Sequence, residues 1–507
     1  MFEAAEVGNR IDKADYKAEA AKLRPELLEV QRQLATSDLA VIVIVGGVEG
    51  AGKEETVNLL MDWMDARGIE VHAMWGTTDE ERDRPRMWRF WRVIPPKGKI
   101  GVLFGSWYTD PIVQRTFRQM DEAAFDLEMH RIVQFERMLE NENVLLVKFW
   151  MHLAKDVQKK HLKKLRKNPD TAWRVTDVTL DFFRKYDRFR SVSEEALRRT
   201  STGFSPWHVI EAADDRYRSV AVTSTLLKTI RKGLDDAARA AAERKKRLKP
   251  DLPRPKEHNL IRHLDMTKSL TEKQYDERME KNQGRLNLLT RRLHDAGRSL
   301  LLVFEGPDAA GKGGSIRKLT SAMDARIYQV ISVAAPTDEE RAHPYLWRFW
   351  RYIPMKGRVT IFDRSWYGRV LVERVEGFAT KDEWGRAYAE INAFEEQLHG
   401  SGIIVVKFWI AITAQEQLQR FKSRKTTPYK QYKLTEEDWR NRAKWNAYEA
   451  VACDMIERTS SSIAPWVLVE GNNKYWTRNR VIEATCEQLE HALGDGAKPK
   501  KKKSSKK

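Results

Sequence analysis

Residues 300–315 of this 507-residue chain read Leu-Leu-Leu-Val-Phe-Glu-Gly-Pro-Asp-Ala-Ala-Gly-Lys-Gly-Gly-Ser. The apolar run 300–304 favours a buried strand, and the segment after the glycines favours a helix. Between them stands the pattern G-x-x-x-x-G-K. Its glycines let backbone N–H groups converge on an anion, while the helix N-terminus and Lys312 add positive potential. The segment therefore predicts a phosphate-binding loop rather than an incidental strand–helix turn.

The chain contains this segment twice. Gly311-Lys312 repeats Gly52-Lys53 at an offset of 312 − 53 = 259 residues. The same offset places Trp88–Arg92 on Trp347–Arg351, Ser106–Tyr108 on Ser365–Tyr367, Lys148–Trp150 on Lys407–Trp409 and Pro206–Trp207 on Pro465–Trp466. Agreement at a single offset over such a length indicates a tandem duplication of one domain.

Short apolar runs alternate with helical patterns in each copy, which predicts an α/β fold with a parallel sheet covered on both faces. Besides 300–304 and its counterpart 41–45, strands are predicted at 359–362, 403–406 and 466–469. The helix after each loop is predicted to begin near Thr56 or Ser315. A basic, proline-broken linker is predicted at 244–262, with domains at 1–243 and 263–495 and a disordered lysine-rich tail at 496–507.

Composition narrows the classes of protein. The chain is 41% hydrophobic, which excludes global disorder, and it has only two cysteines. Two cysteines are too few for a disulfide framework, so the cytoplasm is the expected compartment. No apolar run is long enough to span a membrane. The net charge of +18 suits a polyanionic partner, for which nucleic acid, acidic lipid and polyphosphate all qualify.

Two carboxylates are candidates for holding Mg²⁺. Asp308 lies inside the loop, and Asp363 ends the predicted strand at 359–362. Mg²⁺ favours one or two carboxylates together with phosphate oxygens. Gly313 stands where P-loop NTPases have the Ser or Thr that binds the metal, so the metal must be held differently here. The alternative roles for Asp363 are a helix N-cap or an ion pair with Arg364.

Basic residues follow these carboxylates. Arg364 and Arg369 flank a Ser-Trp-Tyr-Gly turn, and a basic helix-and-loop follows further along the chain with Arg420, Arg424, Lys430 and Lys433. A cationic helical segment could close over a phosphate chain as a lid that excludes water. A solvated basic face is the alternative interpretation.

Five motifs of the second copy together resemble the polyphosphate kinase 2 family. They are Gly306-x-Asp-x-x-Gly-Lys-Gly-Gly314, Pro336-Thr-x-Glu-Glu340, Trp347-Arg-Phe-Trp-Arg351, Asp363-Arg-Ser-Trp-Tyr-Gly-Arg369 and Lys430-x-x-Lys433. The resemblance covers nearly the whole chain, and the two-copy layout is similar to the fused-domain branch of the family. One departure is Tyr432, where the family usually shows tryptophan.

The resemblance implies tandem P-loop kinase-like domains with helical lids, dependence on Mg²⁺, and transfer of a terminal polyphosphate phosphoryl group to AMP to give ADP. It implies neither a nucleic-acid nor a membrane partner, and it leaves homo-oligomer formation open. The implied catalytic residues are Asp308, Lys312, Asp363, Arg364 and Arg369, with Asp308 and Asp363 as metal ligands. The implied phosphate-binding residues are Gly306, Gly311, Gly313, Gly314, Ser315, Arg420, Arg424, Lys430 and Lys433, and the implied nucleotide-binding residues are Asp338, Glu339 and Arg348.

The first copy has lost the charges that this chemistry needs. Asp308 corresponds to Glu49, Gly313-Gly314 to Glu54-Glu55, and Asp363-Arg364 to Phe104-Gly105. Two carboxylates at the start of a helix repel phosphate, and phenylalanine cannot bind a metal ion. The sequence therefore predicts a degenerate first copy and an active site in the second copy.

Three other functions remain open at this stage. An ATP-dependent small-molecule kinase would share the loop, and a polyphosphate kinase acting on ADP or GDP would differ only in the acceptor. A nucleic-acid or polyanion binder with a vestigial site would explain the charge, although the chain lacks a recognition motif for nucleic acid.

Overall fold

The computed structural model describes residues 1–494, with the side chains of Tyr429, Lys430 and Lys433 left out. The predicted tail at 496–507 lies outside the described residues. Along residues 1–494, no helix is both long and apolar enough to cross a membrane.

The first copy of the sequence forms ten α-helices and five strands within the described chain. In order they are α1 Lys13–Leu34, β1 Ala40–Gly47, α2 Lys53–Trp63, β2 Ile69–Ala73, α3 Asp79–Arg82, α4 Trp88–Trp91, β3 Ile100–Phe104, α5 Thr109–Thr116, α6 Glu122–Asn141, β4 Val144–His152, α7 Lys155–Lys167, α8 Asp177–Arg184, α9 Tyr186–Thr200, β5 Trp207–Glu211 and α10 Asp215–Arg247.

The second copy repeats this order. Its elements are α11 Glu272–Asp295, β6 Ser299–Glu305, α12 Lys312–Thr320, β7 Tyr328–Ser332, α13 Asp338–Arg341, α14 Trp347–Trp350, β8 Val359–Asp363, α15 Val372–Glu376, α16 Lys381–Gly400, β9 Ile403–Ala411, α17 Ala414–Thr426, α18 Glu436–Ala443, α19 Trp445–Thr459, β10 Trp466–Glu470 and α20 Lys474–Leu493. Short 3-10 turns lie at Phe2–Ala5, Ala66–Gly68, Ala172–Arg174, Trp366–Arg369 and Pro428–Lys433.

Each copy builds a five-stranded sheet. The strand orders are β2-β3-β1-β4-β5 and β10-β9-β6-β8-β7, and the pairings in both sheets are parallel. Every residue of the central strand β6 and of its neighbour β9 is buried. Such strands are expected where helices cover both faces of a parallel sheet. The predicted fold class is confirmed.

Three details differ from the sequence-based predictions. The helices α2 and α12 begin at Lys53 and Lys312, three residues before the predicted starts, because Gly52 and Gly311 take left-handed conformations and end the loops as N-caps. The edge strands β2 and β7 were not predicted. The predicted linker begins inside α10, which continues to Arg247.

The described chain packs as two compact units. The first unit contains Met1–Thr77, Arg89–Glu243 and Pro336–Arg348. The second contains Thr78–Trp88, Arg244–Ala335 and the described chain from Phe349 onward. Each unit has its own apolar core around its sheet.

Candidate active site

The phosphate loop and Asp363 lie side by side because of the strand order. Strand β6 pairs with β8 in a register that sets Phe304 opposite Asp363. The loop that leaves β6 therefore begins next to the last residue of β8, at the carboxyl edge where ligands of open α/β sheets bind. A Cβ atom at Gly313 would lie 3.9 Å from Oδ2 of Asp363. The space left by the missing Ser or Thr side chain thus borders the Asp363 carboxylate.

The ammonium group of Lys312 lies inside the loop and is hydrogen-bonded to its backbone. Its Nζ donates hydrogen bonds to the carbonyl oxygens of Gly306 at 2.6 Å and Pro307 at 3.2 Å. Burial lowers the pKa of Lys312, and the neighbouring Arg364 charge lowers it further, while Asp308 and Asp363 oppose the shift. An ammonium group in this position is poorly solvated and is therefore suited to binding an anion.

Asp308 has a hydrogen-bond donor on each carboxylate oxygen. Arg364 Nη2 donates to Oδ1 at 2.9 Å, and Asn441 Nδ2 donates to Oδ2 at 2.9 Å. Burial acts to raise the pKa of Asp308, but the charges of Lys312 and Arg364 and the two hydrogen bonds outweigh it, so its pKa is lowered. The side chain is only 12% exposed and remains an anion in this environment.

Two residues of this site have a strained backbone. Ala309 and Arg364 have φ angles of 63° and 64°, in the left-handed region that side chains with a Cβ avoid. The first unit has glycines at the corresponding positions, Gly50 and Gly105, with φ angles of 78° and 82°. The loop geometry thus requires a left-handed residue in both units. The second unit accepts a cost of about 1–3 kcal/mol at position 364 to place a guanidinium beside Asp308.

This strain can be measured by comparing Arg364→Gly with Arg364→Ala. Both variants lose the ion pair with Asp308, so their difference isolates the backbone conformation. We expect the glycine variant to be more stable than the alanine variant by about 1 kcal/mol, whereas glycine is normally the less stable of the two. Denaturant unfolding of the two purified variants measures the difference. Equal stabilities, or a more stable alanine variant, would contradict the strain.

Two cavities of the second unit meet at Asp308 and Arg364. The larger has a strongly cationic lining: Lys312, Arg317, Arg364, Arg420, Arg424, Lys474 and Arg478, against Asp308, Asp363 and Asp438. The smaller is mainly apolar, and its lining includes Trp409, Ile412, Trp445, Tyr448 and Leu371. Asp308 and Arg364 line both cavities. A group bound in one can therefore meet a group bound in the other at this pair.

Most of the predicted phosphate-binding residues lie together. Gly311, Gly313, Gly314, Ser315 and Arg424 line the larger cavity with Lys312 and Asp363, while Gly306 lines the smaller one. The hydroxyl of Ser315 is buried and has no hydrogen-bond partner within the described part of the chain. In the first unit, Thr56 Oγ1 at this position donates to Gly52 O at 2.8 Å. The unsatisfied hydroxyl in the second unit fits a loop that awaits an anion.

Arg420 lines the larger cavity but is bound to the protein. Its Nη1 donates to Ala309 O and Ala310 O, both at 2.9 Å, and its Nη2 donates to Gly471 O at 2.6 Å and Asn472 O at 2.9 Å. The Nε donates to Glu416 at 2.6 Å. With five N–H groups, the guanidinium has its donors directed at protein acceptors. Its contact in this structure supports the loop, and its role in phosphate binding stays a prediction.

Four predicted residues are not part of the lining of either cavity. Arg369 pairs with Glu373 at 2.7 Å in the turn after β8 and lines neither cavity. Asp338, Glu339 and Arg348 belong to the segment Pro336–Arg348, which packs in the first unit. There Arg348 pairs with Glu340 at 3.2 Å, and Asp338 pairs with Arg341. The side chains of Lys430 and Lys433 lie outside the described residues. Roles for these residues stay predictions.

Several site residues were not predicted. Arg317, Lys474 and Arg478 add positive charge to the larger cavity. Glu305, which accepts a hydrogen bond from Ser365 Oγ at 2.8 Å, lines the smaller cavity, and burial raises its pKa. Comparing the copies could have identified them, because the first copy has Asn58, Asp215, Ser219 and Gly46 at these positions.

The loop of the first unit is closed by its own side chains. Lys53 pairs with Glu49 at 2.9 Å and donates to Gly47 O at 3.1 Å. Arg218 packs its guanidinium so closely against Gly52 that a Cβ atom there would collide with it. Arg218 is 5% exposed and pairs with Asp215 at 2.9 Å. This loop therefore has an internal arginine where the second unit has Thr477.

Comparison with known proteins agrees with the duplicated domain. The family model described as polyphosphate kinase 2 matches residues 10–237 and again residues 269–496. A polyphosphate:AMP phosphotransferase from Pseudomonas aeruginosa PAO1 is 48% identical over 97% of this chain and 99% of its own. A polyphosphate:AMP phosphotransferase from Acinetobacter johnsonii is 35% identical over 92% of this chain and 96% of its own.

A solved structure of a polyphosphate kinase 2 from Pseudomonas aeruginosa superposes with a TM-score of 0.86 at 47% identity, covering 97% of this chain and 99% of that one. The chain belongs to the polyphosphate kinase 2 family, and it contains two copies of the family domain. Both the resemblance and the tandem duplication inferred from the sequence are confirmed.

Proposed function

We propose that this chain is a polyphosphate:AMP phosphotransferase that moves the terminal phosphoryl group of polyphosphate to AMP at the site of its second unit. The observation that supports this best is the pair of cavities, one cationic and one apolar, that meet at Asp308 and Arg364. The names of the full-length relatives support the substrates.

The larger cavity suits the donor. Polyphosphate has no base or sugar, so its recognition depends on charge and on hydrogen bonds to phosphate oxygens. The described lining has seven cations and three carboxylates, together with the N-terminus of α12. Helix N-termini and clustered basic side chains bind phosphate oxygens.

The smaller cavity suits the acceptor. Trp409, Trp445 and Tyr448 supply flat aromatic surface for a nucleoside, while Arg364 lies where the cavity meets the donor side. Nucleotide pockets are mostly apolar with a few polar groups that fix orientation. In this arrangement the AMP phosphate reaches Arg364 and Asp308 from one side and the end of the polyphosphate chain reaches them from the other.

Mg²⁺ fits the residues present. No cluster of three or more metal-ligating side chains occurs within residues 1–494, and Mg²⁺ bound to phosphates needs only one or two carboxylates. We propose Asp308 and Asp363 as its protein ligands, with the space beside Gly313 next to Asp363. When bound, the ion neutralises phosphate charge and orients the oxygens.

The chemistry needs no covalent enzyme intermediate. An oxygen of the AMP phosphate forms a bond to the terminal phosphorus as the bond from that phosphorus to the bridging oxygen breaks. The products are ADP and a polyphosphate shorter by one phosphate. The AMP phosphate is already an anion and gives up no proton. Catalysis then depends on alignment and on Lys312, Arg364 and the loop N–H groups, which stabilise the charge on the transferred group.

The decisive assay combines AMP, Mg²⁺ and polyphosphate and measures ADP, with ATP as the alternative donor. We expect ADP to form from AMP and polyphosphate, and its formation to stop with EDTA and resume with excess Mg²⁺. ADP release from ATP without polyphosphate would instead indicate an ATP-dependent kinase. Salt-sensitive oligonucleotide binding without turnover would indicate a polyanion binder.

Replacing Arg478 should affect the binding of the donor but not that of the acceptor. Arg478 lies 3.5 Å from a Cβ position at Gly314 and lines only the cationic cavity of the two. We expect Arg478→Ala to raise the KM for polyphosphate by about tenfold to a hundredfold, because it removes one hydrogen bond to a charged group, worth about 1.5–3 kcal/mol, and to leave the KM for AMP unchanged. Arg480→Ala is the control, since Arg480 pairs with Glu483 and Glu487 instead. A raised KM for AMP would contradict the assignment of the two cavities.

A further inference from the structure

A chain of side-chain contacts connects the lid helix α18, which directly follows the basic segment predicted as a lid, to the carboxylate of Asp308. Asn441 of α18 donates from Nδ2 to Asp308 at 2.9 Å, and its Oδ1 faces the hydroxyl of Tyr448 of α19 at 3.1 Å. The same hydroxyl lies 3.1 Å from Oε1 of Glu376, at the end of α15. The amide orientation follows from these partners, since a carboxylate can only accept.

Glu376, at the far end of this series of contacts, is held in place by burial and by ion pairs. Its side chain is 5% exposed and pairs with Lys444 at 2.7 Å and Arg440 at 3.4 Å. Burial raises the pKa of Tyr448, and the Glu376 charge raises it further, so the phenol keeps its proton. The single O–H of Tyr448 lies 3.1 Å from both acceptors and is shared between Oε1 of Glu376 and Oδ1 of Asn441, so the hydroxyl connects the two side chains.

A second contact joins the lid to the same loop. Arg442, next to Asn441, donates to Gln417 Oε1 at 3.1 Å and to Ala414 O at 2.7 Å. Gln417 Nε2 in turn donates to the backbone oxygen of Asp308 at 3.0 Å. The lid helix α18 therefore contacts both the side chain of Asp308 and, through Gln417, its backbone.

The first unit shows what remains when these contacts are lost. Glu376, Asn441, Arg442 and Tyr448 correspond to Phe117, Phe182, Phe183 and Phe189. Three of these phenylalanines form an edge-to-face cluster, with ring centroids 5.2 Å apart for Phe117–Phe182 and 5.6 Å apart for Phe182–Phe189. All four positions that are polar in the second unit are phenylalanine in the first. The first unit also has Glu49 in place of Asp308.

The backbone support of the loop is nevertheless retained there. Gln158, the counterpart of Gln417, donates to Glu49 O at 2.8 Å. Its Oε1 is buried without a partner among the described residues, at the atom that Arg442 contacts in the second unit. The contact from glutamine to the loop backbone is thus present in both units. The polar residues Glu376, Asn441, Arg442 and Tyr448 occur only in the unit that has Asp308. These polar residues are not needed for this part of the chain to fold, because phenylalanine packing takes their place in the first unit.

We propose that Asn441, held by Tyr448 and Glu376, is a lid-borne positioning residue that orients the Asp308 carboxylate for phosphoryl transfer. The inference rests on the proposed function of the second unit. Docking of α18 sets Nδ2 against one carboxylate oxygen while Arg364 holds the other, so Asp308 has one orientation only when the lid is in place. Lid docking and assembly of the reacting site are then the same event.

The test is steady-state kinetics on the full chain with AMP, Mg²⁺ and polyphosphate. We expect Asn441→Ala to lower kcat by about tenfold to a hundredfold, the loss typical of one hydrogen bond to a charged group, with each KM changed less than about threefold. Tyr448→Phe keeps the ring and should lower kcat by about threefold to tenfold. Because Tyr448 acts through Asn441, the double variant should match Asn441→Ala alone rather than multiply the two effects.

Two controls separate the possible failures. Phe182→Leu changes the matching position of the first unit and should leave kcat within about twofold, as expected outside the reacting site. Lys312→Ala tests the proposed function itself: full activity of that variant would overturn the active-site assignment. With Lys312→Ala inactive, a folded Asn441→Ala variant with the wild-type kcat would overturn the positioning role. A raised KM for AMP at unchanged kcat would overturn it too, making Asn441 a nucleotide contact, as would fully multiplicative effects in the double variant.

Discussion

Replacing Lys312 by alanine is expected to lower kcat for ADP formation by about a hundredfold to a thousandfold, the range seen when one preorganised donor to a developing anion is removed. The physical reason is the position of Nζ, 2.6 Å from Gly306 O inside the loop and poorly solvated. A bound phosphate oxygen can take the place of these carbonyl contacts. Initial rates at saturating AMP, Mg²⁺ and polyphosphate measure the loss.

The first unit supplies a matched control. Lys53 is the counterpart of Lys312, but its ammonium pairs with Glu49 at 2.9 Å and Arg218 packs against its loop. We therefore expect Lys53→Ala to keep kcat within about twofold of the wild type, as expected for a residue with no part in the reaction. A folded Lys53→Ala variant that is inactive, beside a Lys312→Ala variant that is active, would reverse the assignment of the two halves.

Asp363→Asn is expected to have the second large effect. The amide keeps the shape of the side chain but removes the negative charge, so the loss reports on metal and phosphate binding rather than on packing. We expect kcat to fall by about a hundredfold and the Mg²⁺ concentration for half-maximal rate to rise, because a carboxylate is a far better ligand for Mg²⁺ than an amide. A titration of Mg²⁺ at fixed AMP and polyphosphate measures both.

Phe104 occupies the matching position in the first unit, at the end of β3. Phe104→Leu should change neither the rate nor the Mg²⁺ dependence, as expected if that position lies outside the reaction. If Asp363→Asn keeps the wild-type kcat and Mg²⁺ requirement while remaining folded, Asp363 is not a metal ligand, and its alternative role beside Arg364 would explain its presence.

The fold could be predicted from the sequence because its decisive signals are local. Five consecutive apolar residues at 300–304 are enough to identify a central strand of a parallel sheet. The strand β7 was missed because it lies at the sheet edge, where Gln329, Val330 and Ser332 are exposed and no apolar run is needed. The packing of Pro336–Arg348 in the first unit depends on tertiary contacts that no local pattern contains.

For the site, too, residues in local motifs could be predicted, whereas contacts between distant parts of the chain could not. Asp308, Lys312 and Asp363 belong to motifs in which a loop or a strand end fixes the place of each side chain in the fold. Asn441 lies 133 residues from Asp308, and nothing in its local sequence indicates that the two meet. For Arg420, the basic segment predicts phosphate contact, but no local pattern indicates that the guanidinium also donates to loop carbonyls. Comparing the two copies at these positions would have singled out Asn441 and Tyr448, because the first copy has Phe182 and Phe189 there.

The central claim is that the second unit binds the reacting phosphates and that the first does not. The most direct measurement is a crystal structure of the full chain soaked with AMP, polyphosphate and Mn²⁺ in place of Mg²⁺, with anomalous scattering used to locate the metal. We predict metal and phosphate between Asp308, Lys312 and Asp363, with the loop at Lys53 and Arg218 free of both. Metal and phosphate at the Glu54 and Phe104 side, beside an empty Lys312 loop, would contradict the account.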